Sequence, residues 1–218
     1  MKLSRDIDKF YAEHYEKIMG NGAIGIVWKR IHKQIDKKFS TSRGFDLLEV
    51  GSGNGEHLKL CRLNFNSYTQ VDIREPKENA QTAKVHFVKD DATLLSKFMN
   101  SQFDGLIATC LIVHLTNPEL ALENWRRVVS NGGKLVIYVP CEPGIFLRFA
   151  RHFTTKRRFK KFGYDHGYLH WNEHINSFTR IDLLIRKVFE ETTINVRFYP
   201  FKLHSWNLNL YVLYEITR

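Results

Sequence analysis

Three glycines stand at alternate positions, Gly51, Gly53 and Gly55, in the stretch Leu48-Glu49-Val50-Gly51-Ser52-Gly53-Asn54-Gly55-Glu56-His57. Glycine at that density marks a backbone that must take positive φ or be approached closely. Two phosphate-cradling loops are excluded: Glu56 stands where a dinucleotide fingerprint needs its third glycine, and no Gly-Lys-Ser/Thr follows for a P-loop. Acids recur after later apolar runs, with Asp72 ending YTQVD and Asp90-Asp91 following VHFVK. A carboxylate buried at a strand end is unfavourable without partners. Taken alone, Asp72 reads as a loop acid, Asp91 as a turn cap, and Thr109 and Cys110 as strand-end packing. A second reactive group is histidine-rich: His114 in ATCLIVHL, and His166, His170, Glu173 and His174 in GYDHGYLHWNEHINSF. Both places can supply a general base. The four-residue spacing of His166, His170 and His174 would suit a metal on one helical face, but Gly163 and Gly167 argue against a continuous helix. No other ligand cluster supports a metal, so none is expected.

The surrounding periodicity says how these residues are positioned. Residues 4–18 read as a helix, with Ile7, Phe10, Tyr11 and Tyr15 on neighbouring turns, and IVWKRIHKQIDKKF as a second after the Gly20–Gly25 break. Strands are expected at 45–50, 67–73, 85–88, 103–109 and 132–139, with helices at 56–63, 77–84 and 118–130, the last started by Asn117-Pro118. Alternating strands and helices imply a parallel sheet with right-handed crossovers. Ligands then bind beyond the carboxyl ends of the strands, where the glycine loop lies. Residues 140–178 interrupt the rhythm. A helix over 179–190 with Thr179 as N-cap, then two strands most simply paired antiparallel at the sheet edge, complete one domain.

Composition narrows the class. The chain has 218 residues, 43% hydrophobic and 26% charged, enough for one large core. No apolar run approaches the roughly 18 residues of a membrane span. The start, MKLSRDIDKFYAEHYEK, is charged throughout and lacks a secretory pattern. Cys61, Cys110 and Cys141 form neither a metal pattern nor an even disulfide set, and read as core or boundary residues of a cytoplasmic protein. Net charge is +10, but seven Lys/Arg and no acid lie between Pro143 and Tyr164, leaving +3 for the rest. An anionic partner at one place fits better than a surface basic all over.

With its acid before three alternate glycines and further acids after the second and third strands, the chain resembles the class I S-adenosylmethionine-dependent methyltransferases over residues 45–139. FDGLIATCLIVHLTNPE and NGGKLVIYVP match that family's fourth strand and the turn into its fifth. The resemblance implies a doubly wound seven-stranded sheet, order 3-2-1-4-5-7-6 with the last strand antiparallel, and S-adenosylmethionine as cofactor. Residues 1–43 would form a helical cap, 44–139 the cofactor core, 140–178 an insert on the side of the methyl-accepting substrate, and 179–218 a closing helix and strand pair. The implied cofactor-binding set is Glu49, Gly51, Ser52, Gly53, Gly55, Asp72, Ile73, Asp91, Ala92 and Thr109. Asp72 would take the ribose hydroxyls, and Asp91, preceding Ala92, the adenine amino group.

For the substrate, the expected residues are His114 and His174 as candidate bases and Tyr11, Tyr15, Arg148, Arg151, Tyr168, His170 and Trp171 as contacts. His114 has an equally good reading as a loop-shaping residue, and Tyr11 and Tyr15 as amphipathic core. In IFLRFARHFTTKRRFKKF, Ile145, Phe149 and Phe153 form an apolar stripe among Arg148, Arg151, Lys156, Arg157, Arg158, Lys160 and Lys161. A solvated face explains part of such a run. A phosphate-bearing acceptor suits arginine forks, an anionic membrane suits a basic amphipathic helix, and RNA suits bases stacked on aromatics. The insert loosely resembles bacterial enzymes acting on polysaccharide or related glycan precursors. The expected activity is therefore O-methylation of a sugar or a phosphate-bearing, lipid-linked precursor, with peripheral contact at the inner membrane face. RNA methylation, small-molecule N-methylation and a cofactor-binding partner subunit are the alternatives.

Overall fold

The computed structural model describes residues 10–39 (the side chains of residues 11, 12 and 16 apart), 44–60, 62–77 and 81–218. One sheet contains β1 (Phe45–Val50), β2 (Phe65–Asp72), β3 (Val85–Lys89), β4 (Phe103–Thr109), β5 (Val129–Pro140), β6 (Thr193–Tyr199) and β7 (Tyr211–Thr217). Its order is β3-β2-β1-β4-β5-β7-β6, as the resemblance implies. Strands β1 to β5 are parallel, and β7 runs antiparallel to both β5 and β6. The order reverses between β1 and β4, which opens a crevice at their carboxyl ends.

A π-helical turn (Phe10–His14) runs into α1 (Tyr15–Met19), followed by α2 (Gly22–Phe39), α3 (Glu56–Leu60) and α4 (Pro118–Val128). Helices α5 (Ile145–Phe153), α6 (Thr155–Lys161) and α7 (His166–Glu173) form the insert, and α8 (Phe178–Val188) precedes β6. Successive strand side chains point to opposite faces, so apolar pairs serve two layers. Leu47, Ile107 and Val136 pack on Ile31, Ile35 and Phe39 of α2. Their neighbours Leu48, Leu106 and Leu135 pack with Trp125 of α4 and Ile181 and Ile185 of α8. Each large side chain so buried contributes about 1.5–3 kcal/mol, which fixes the strand register that holds the loops above.

A third cluster joins the amino-terminal helices to the insert. Phe10 and Ile18 from the amino-terminal helices pack with Phe159 and Leu169 from the insert. Arg158 Nη1 donates to the carbonyls of Ile18 (2.7 Å) and Asn21, capping the carboxyl end of α1. The two segments expected on the acceptor side are thus packed into one unit.

Several local expectations change. Residues 81–84 are not helical, because Thr82 Oγ1 accepts from the backbone of Lys84 and Val85 and closes a turn; residues 78–80 lie outside the described residues. Ser177, not Thr179, caps α8, its Oγ accepting from Arg180 N at 3.3 Å. Gly163 ends the preceding helix at φ +80°, as its type suggests. Gly167 instead sits in the first turn of α7, where Asp165 accepts from the N–H of Gly167 and Tyr168. Residues 4–9 and Cys61 lie outside the described residues.

Candidate active site

The end expected to hold the cofactor is built by strand ends. Val50 leads into Gly51, whose φ is +69°, with Gly53 at +56° and Gly55 at +74°. A Cβ on Gly51 would stand 2.8 Å from the Leu111 side chain, so the loop needs glycine there for both reasons at once. Asp72 is only half-buried. One of its carboxylate oxygens accepts from Gly53 N at 2.9 Å and the other from Arg74 N at 2.9 Å. It therefore ties the glycine loop to the end of β2 while facing the crevice. Ile73 beside it is 59% exposed. Asp90 is taken up by the turn after β3, accepting from Asp91 N, Ser96 Oγ and Lys97 N. Asp91 accepts one bond, from Thr93 N at 2.7 Å. Ala92 points into the core, its carbonyl accepting from Trp125 Nε1.

Glu49 lies beneath the loop, 1% exposed, its carboxyl accepting from Tyr68 Oη at 3.0 Å and Gln70 Nε2 at 3.3 Å. Burial pushes it up to about 8, against the pull of those two hydrogen bonds. Glu56, at the position where a third glycine would fall in a dinucleotide fingerprint, folds back so that its carboxylate accepts from Asn54 N at 3.0 Å. Neither Tyr68, Gln70 nor Glu56 is singled out by the sequence pattern. Glu56 holds the loop itself, while Tyr68 and Gln70 hold the Glu49 carboxyl on β1.

The second half of the site gathers at the ends of β4 and β5. Thr109 closes β4, and Cys110 follows at φ +59°. Burial pushes the Cys110 thiol up to about 12, so it stays protonated at neutral pH. The insert then brings its charged groups onto one carboxylate, Glu142. His174 Nδ1 lies 2.8 and 2.9 Å from the two Glu142 oxygens, and His170 Nε2 lies 3.0 Å from Oε2. Arg151 Nη2 donates to Glu142 and Nη1 lies 2.8 Å from His170 Nε2. Burial alone would raise the Glu142 pKa, but His170, His174 and Arg151 outweigh it and hold the carboxyl well below the usual range. The His114 and His174 rings are 4.6 Å apart, nearly perpendicular. Burial pushes His114 down to about 3, and its Nδ1 has no hydrogen-bond partner, Glu173 Oε2 standing 3.6 Å away. Burial also lowers His174, with Glu142 opposing it, so the ring is neutral at physiological pH.

Tyr15 is half-buried against Phe10, and burial, more than its neighbours Cys110 and Glu56, raises its pKa. It sits between the two halves, whereas the side chain of Tyr11 lies outside the described residues. Between α5 and α7 a cleft of about 500 Å³ has Glu142, Arg151 and His170 among its lining, with Arg148, Phe149 and Trp171. Tyr168 is 55% exposed nearby on α7. The structure thus brings together His114, His174, His170, Arg151 and Tyr15, and sets Arg148, Tyr168 and Trp171 on the outer surface.

Residues 48–137 match a family model described as a methyltransferase domain. Over those residues the chain is therefore similar to S-adenosylmethionine-dependent methyltransferases, as its motifs imply. An uncharacterized protein of Methanocaldococcus jannaschii is 28% identical over 73% of this chain and 72% of its own. A demethylmenaquinone methyltransferase of Leptospira interrogans is 32% identical over 49% of this chain, and the matched part spans 47% of that protein. An N-methyltransferase of Bradyrhizobium japonicum in complex with S-adenosyl-L-homocysteine superposes with a TM-score of 0.65, at 12% identity, over all of this chain and 99% of its own.

The methyltransferase loop suits the cofactor by its own geometry. Ser52 Oγ is buried with no hydrogen-bond partner, between two glycines at positive φ, so a ligand's polar group would satisfy it. Cations fit the second half less well. Two donor sets, Cys110–His114–His174 and Glu142–His170–His174, each place three donor atoms within 4.8 Å of one another. Arg151 already neutralises Glu142, and a divalent ion would face that fixed charge. Glu142 is the residue that sequence reasoning missed. Its signal is there: it is the last acid before a run that has none until Asp165.

Proposed function

We propose that this methyltransferase acts on a hydroxyl group of a phosphate-bearing acceptor, a sugar or glycan precursor, with His174 as general base. The Glu142–His174 hydrogen bond carries the reading. A carboxylate only accepts, so His174 Nδ1 must hold the proton and Nε2 presents its lone pair. An amine acceptor needs no base once deprotonated, whereas a hydroxyl must lose its proton during transfer. Burial keeps His174 neutral, and the ionised Glu142 stabilises the imidazolium that forms when Nε2 takes that proton. His114, with its pKa pushed so far down, is the poorer base and serves to pack and orient the His174 ring.

On this reading the cofactor is held by Gly51, Ser52, Gly53, Gly55, Asp72 and Asp91, with Glu49 beneath the loop and Thr109 at its far side. When bound, S-adenosylmethionine supplies a methyl group on a positively charged sulfur. Tyr15 and the lid exclude water, which strengthens every charge interaction inside. Arg148 and Lys156 at the cleft give an anionic acceptor its landing point, and Arg151 keeps Glu142 ionised.

The test is transfer of labelled methyl from the cofactor into a total cell extract. Label that survives ribonuclease, resists amine-specific derivatisation and partitions with phosphorylated sugars or their lipid-linked forms supports the assignment. Label lost to ribonuclease refutes it.

A further inference from the structure

Helix α5 is the least buried long element of the lid. Of its nine residues only Leu147 is buried, while Ile145 is 71%, Phe149 61% and Phe153 47% exposed. These three recur every four residues, so they form one stripe on the outer face. The Phe149 and Phe153 rings meet at 4.7 Å, and the Arg157 guanidinium lies 5.5 Å over Phe153. Trp171 on α7, 60% exposed, joins Ile145 and Phe149 around the cleft. Single exposed apolar side chains are normal on soluble proteins, but a continuous aromatic stripe marks a surface that meets another phase or partner.

The charges around the stripe are unspent. Arg151 and Arg158 are turned inward, one onto Glu142 and one onto the end of α1. Arg148, Lys156, Lys160 and Lys161 are exposed and, among the described residues, pair with no acid. A merely solvated basic face would not carry phenylalanines through its middle. An RNA groove would place its aromatics inside a basic channel, whereas here they crown the convex side of a short helix. No described helix is long and apolar enough to cross a membrane.

We infer that α5 docks this methyltransferase on an anionic lipid bilayer, with Ile145, Phe149 and Phe153 entering the interface and Arg148, Lys156, Arg157, Lys160 and Lys161 meeting the headgroups. This is the arrangement by which an amphipathic helix lies in the plane of a membrane, apolar burial and charge acting together. Resting on the hydroxyl-transfer reading above, the same surface names the acceptor's route. The cleft walled by Ile145, Phe149 and Trp171 opens beside the docked face and has Glu142 and His170 in its lining, so an acidic amphiphile can reach His174 without leaving the bilayer surface.

The full chain is mixed with vesicles of phosphatidylcholine alone or with added phosphatidylglycerol, and sedimented. Binding is expected only with phosphatidylglycerol. It should fall at least tenfold in both the Phe149→Ser/Phe153→Ser and the Lys156→Gln/Lys160→Gln double variants, all of exposed side chains, with circular dichroism unchanged. Equal binding by the phenylalanine variant would overturn the docking, since contact would then be mere charge attraction. Displacement of the vesicles by a short single-stranded RNA at equal phosphate concentration would also overturn it, in favour of nucleic acid. His174→Ala must leave vesicle binding intact. If that variant binds vesicles but transfers as well as the parent, the hydroxyl-transfer reading fails alone. If the parent transfers to a soluble phosphorylated sugar yet binds no vesicle, the docking fails alone.

Discussion

The two halves of the site are constructed on different principles. At the cofactor end each group sits at the tip of its own strand: Gly51 after β1, Asp72 on β2, Asp91 after β3. At the acceptor end, Glu142 after β5 meets His174 from the far end of the insert, and Phe10 meets Phe159 across most of the chain. The first half is rigid because the sheet is rigid, since a parallel strand buried on both faces cannot shift without exposing its core. The second is held by a small cluster of its own and a few hydrogen bonds, and such elements open most easily. A fixed half for a common ligand and a looser half for a particular one is what a single fold needs to serve many substrates.

The sharpest way to break this division is to damage one half and measure the other. His174→Ala should lower kcat by about 10²–10⁴-fold, the range lost with a positioned general base. The dissociation constant for the cofactor in calorimetry should hardly move. The pH profile adds a sign. Because burial lowers the His174 pKa, the limb on which activity rises should lie below the ordinary histidine range near pH 6.5. Glu142→Gln, which removes the opposing charge, should move that limb further toward acid and reduce its plateau. A limb above pH 7 in the parent enzyme would disprove the assignment of His174.

Next in size is Asp72→Ala. It removes a carboxylate that both faces the crevice and ties down Gly53 and Arg74. If Asp72 also takes the two ribose hydroxyls, loss of those two bonds to a charged group corresponds to about 3 kcal/mol, or roughly a hundredfold in cofactor affinity. The acceptor half should stay folded, so vesicle binding and the far-ultraviolet spectrum should be those of the parent. Affinity within a factor of three of the parent would remove Asp72 from the site.

Acid should loosen both halves, through His114 and His174 in one and a buried histidine pair in the other. Beneath the glycine loop His57 is fully buried, its Nδ1 2.7 Å from Nδ1 of His32 on α2. Burial pushes His57 down to about 3 and His32 down to about 4. Both folded values lie below the unfolded value near 6.5, so the unfolded chain binds the extra protons. Stability is therefore full above pH 6.5 and falls as the pH drops toward 4. His57 alone implies a loss of about 2 kcal/mol by pH 5. Thermal melts between pH 7 and pH 4.5 should show this decline, and His32→Gln should make it shallower without abolishing it.

The same contrast explains what could be read from the chain. FDLLEV and FDGLIAT show their strands to the residue, because apolar runs on buried parallel strands are continuous and end at a glycine or a turn. The sheet order and cofactor followed from the family resemblance, whose motifs are local. Glu142 stands out only as the last acid before a long run without one, since its role exists only once α7 folds back over β5. Gly167 misled for a related reason: its flexibility predicts a break, but the Asp165 side chain caps the turn and the helix forms regardless. The exposed stripe of α5 was visible as a pattern, yet only the structure shows that it faces outward.

The smallest effect tests whether the lid is one unit. Arg158 is counted with the basic run by sequence, but its guanidinium accepts no ligand; it donates to the Ile18 and Asn21 carbonyls at the end of α1. The Ile18 carbonyl lies in the last turn of α1, where a cation is favourable, whereas the Asn21 carbonyl also accepts from Gly25 N at the start of α2. Arg158→Ala should therefore cost about 1 kcal/mol, which for a chain of this length lowers the melting temperature by about 2–4 °C. Cofactor affinity should be unchanged, because none of its residues touch α1 through Arg158. KM for the acceptor should rise, because α1 carries Tyr15 and packs on the insert beside Phe159. A rise in the cofactor dissociation constant instead would mean that the lid and the glycine loop move together, and the two halves would have to be treated as one.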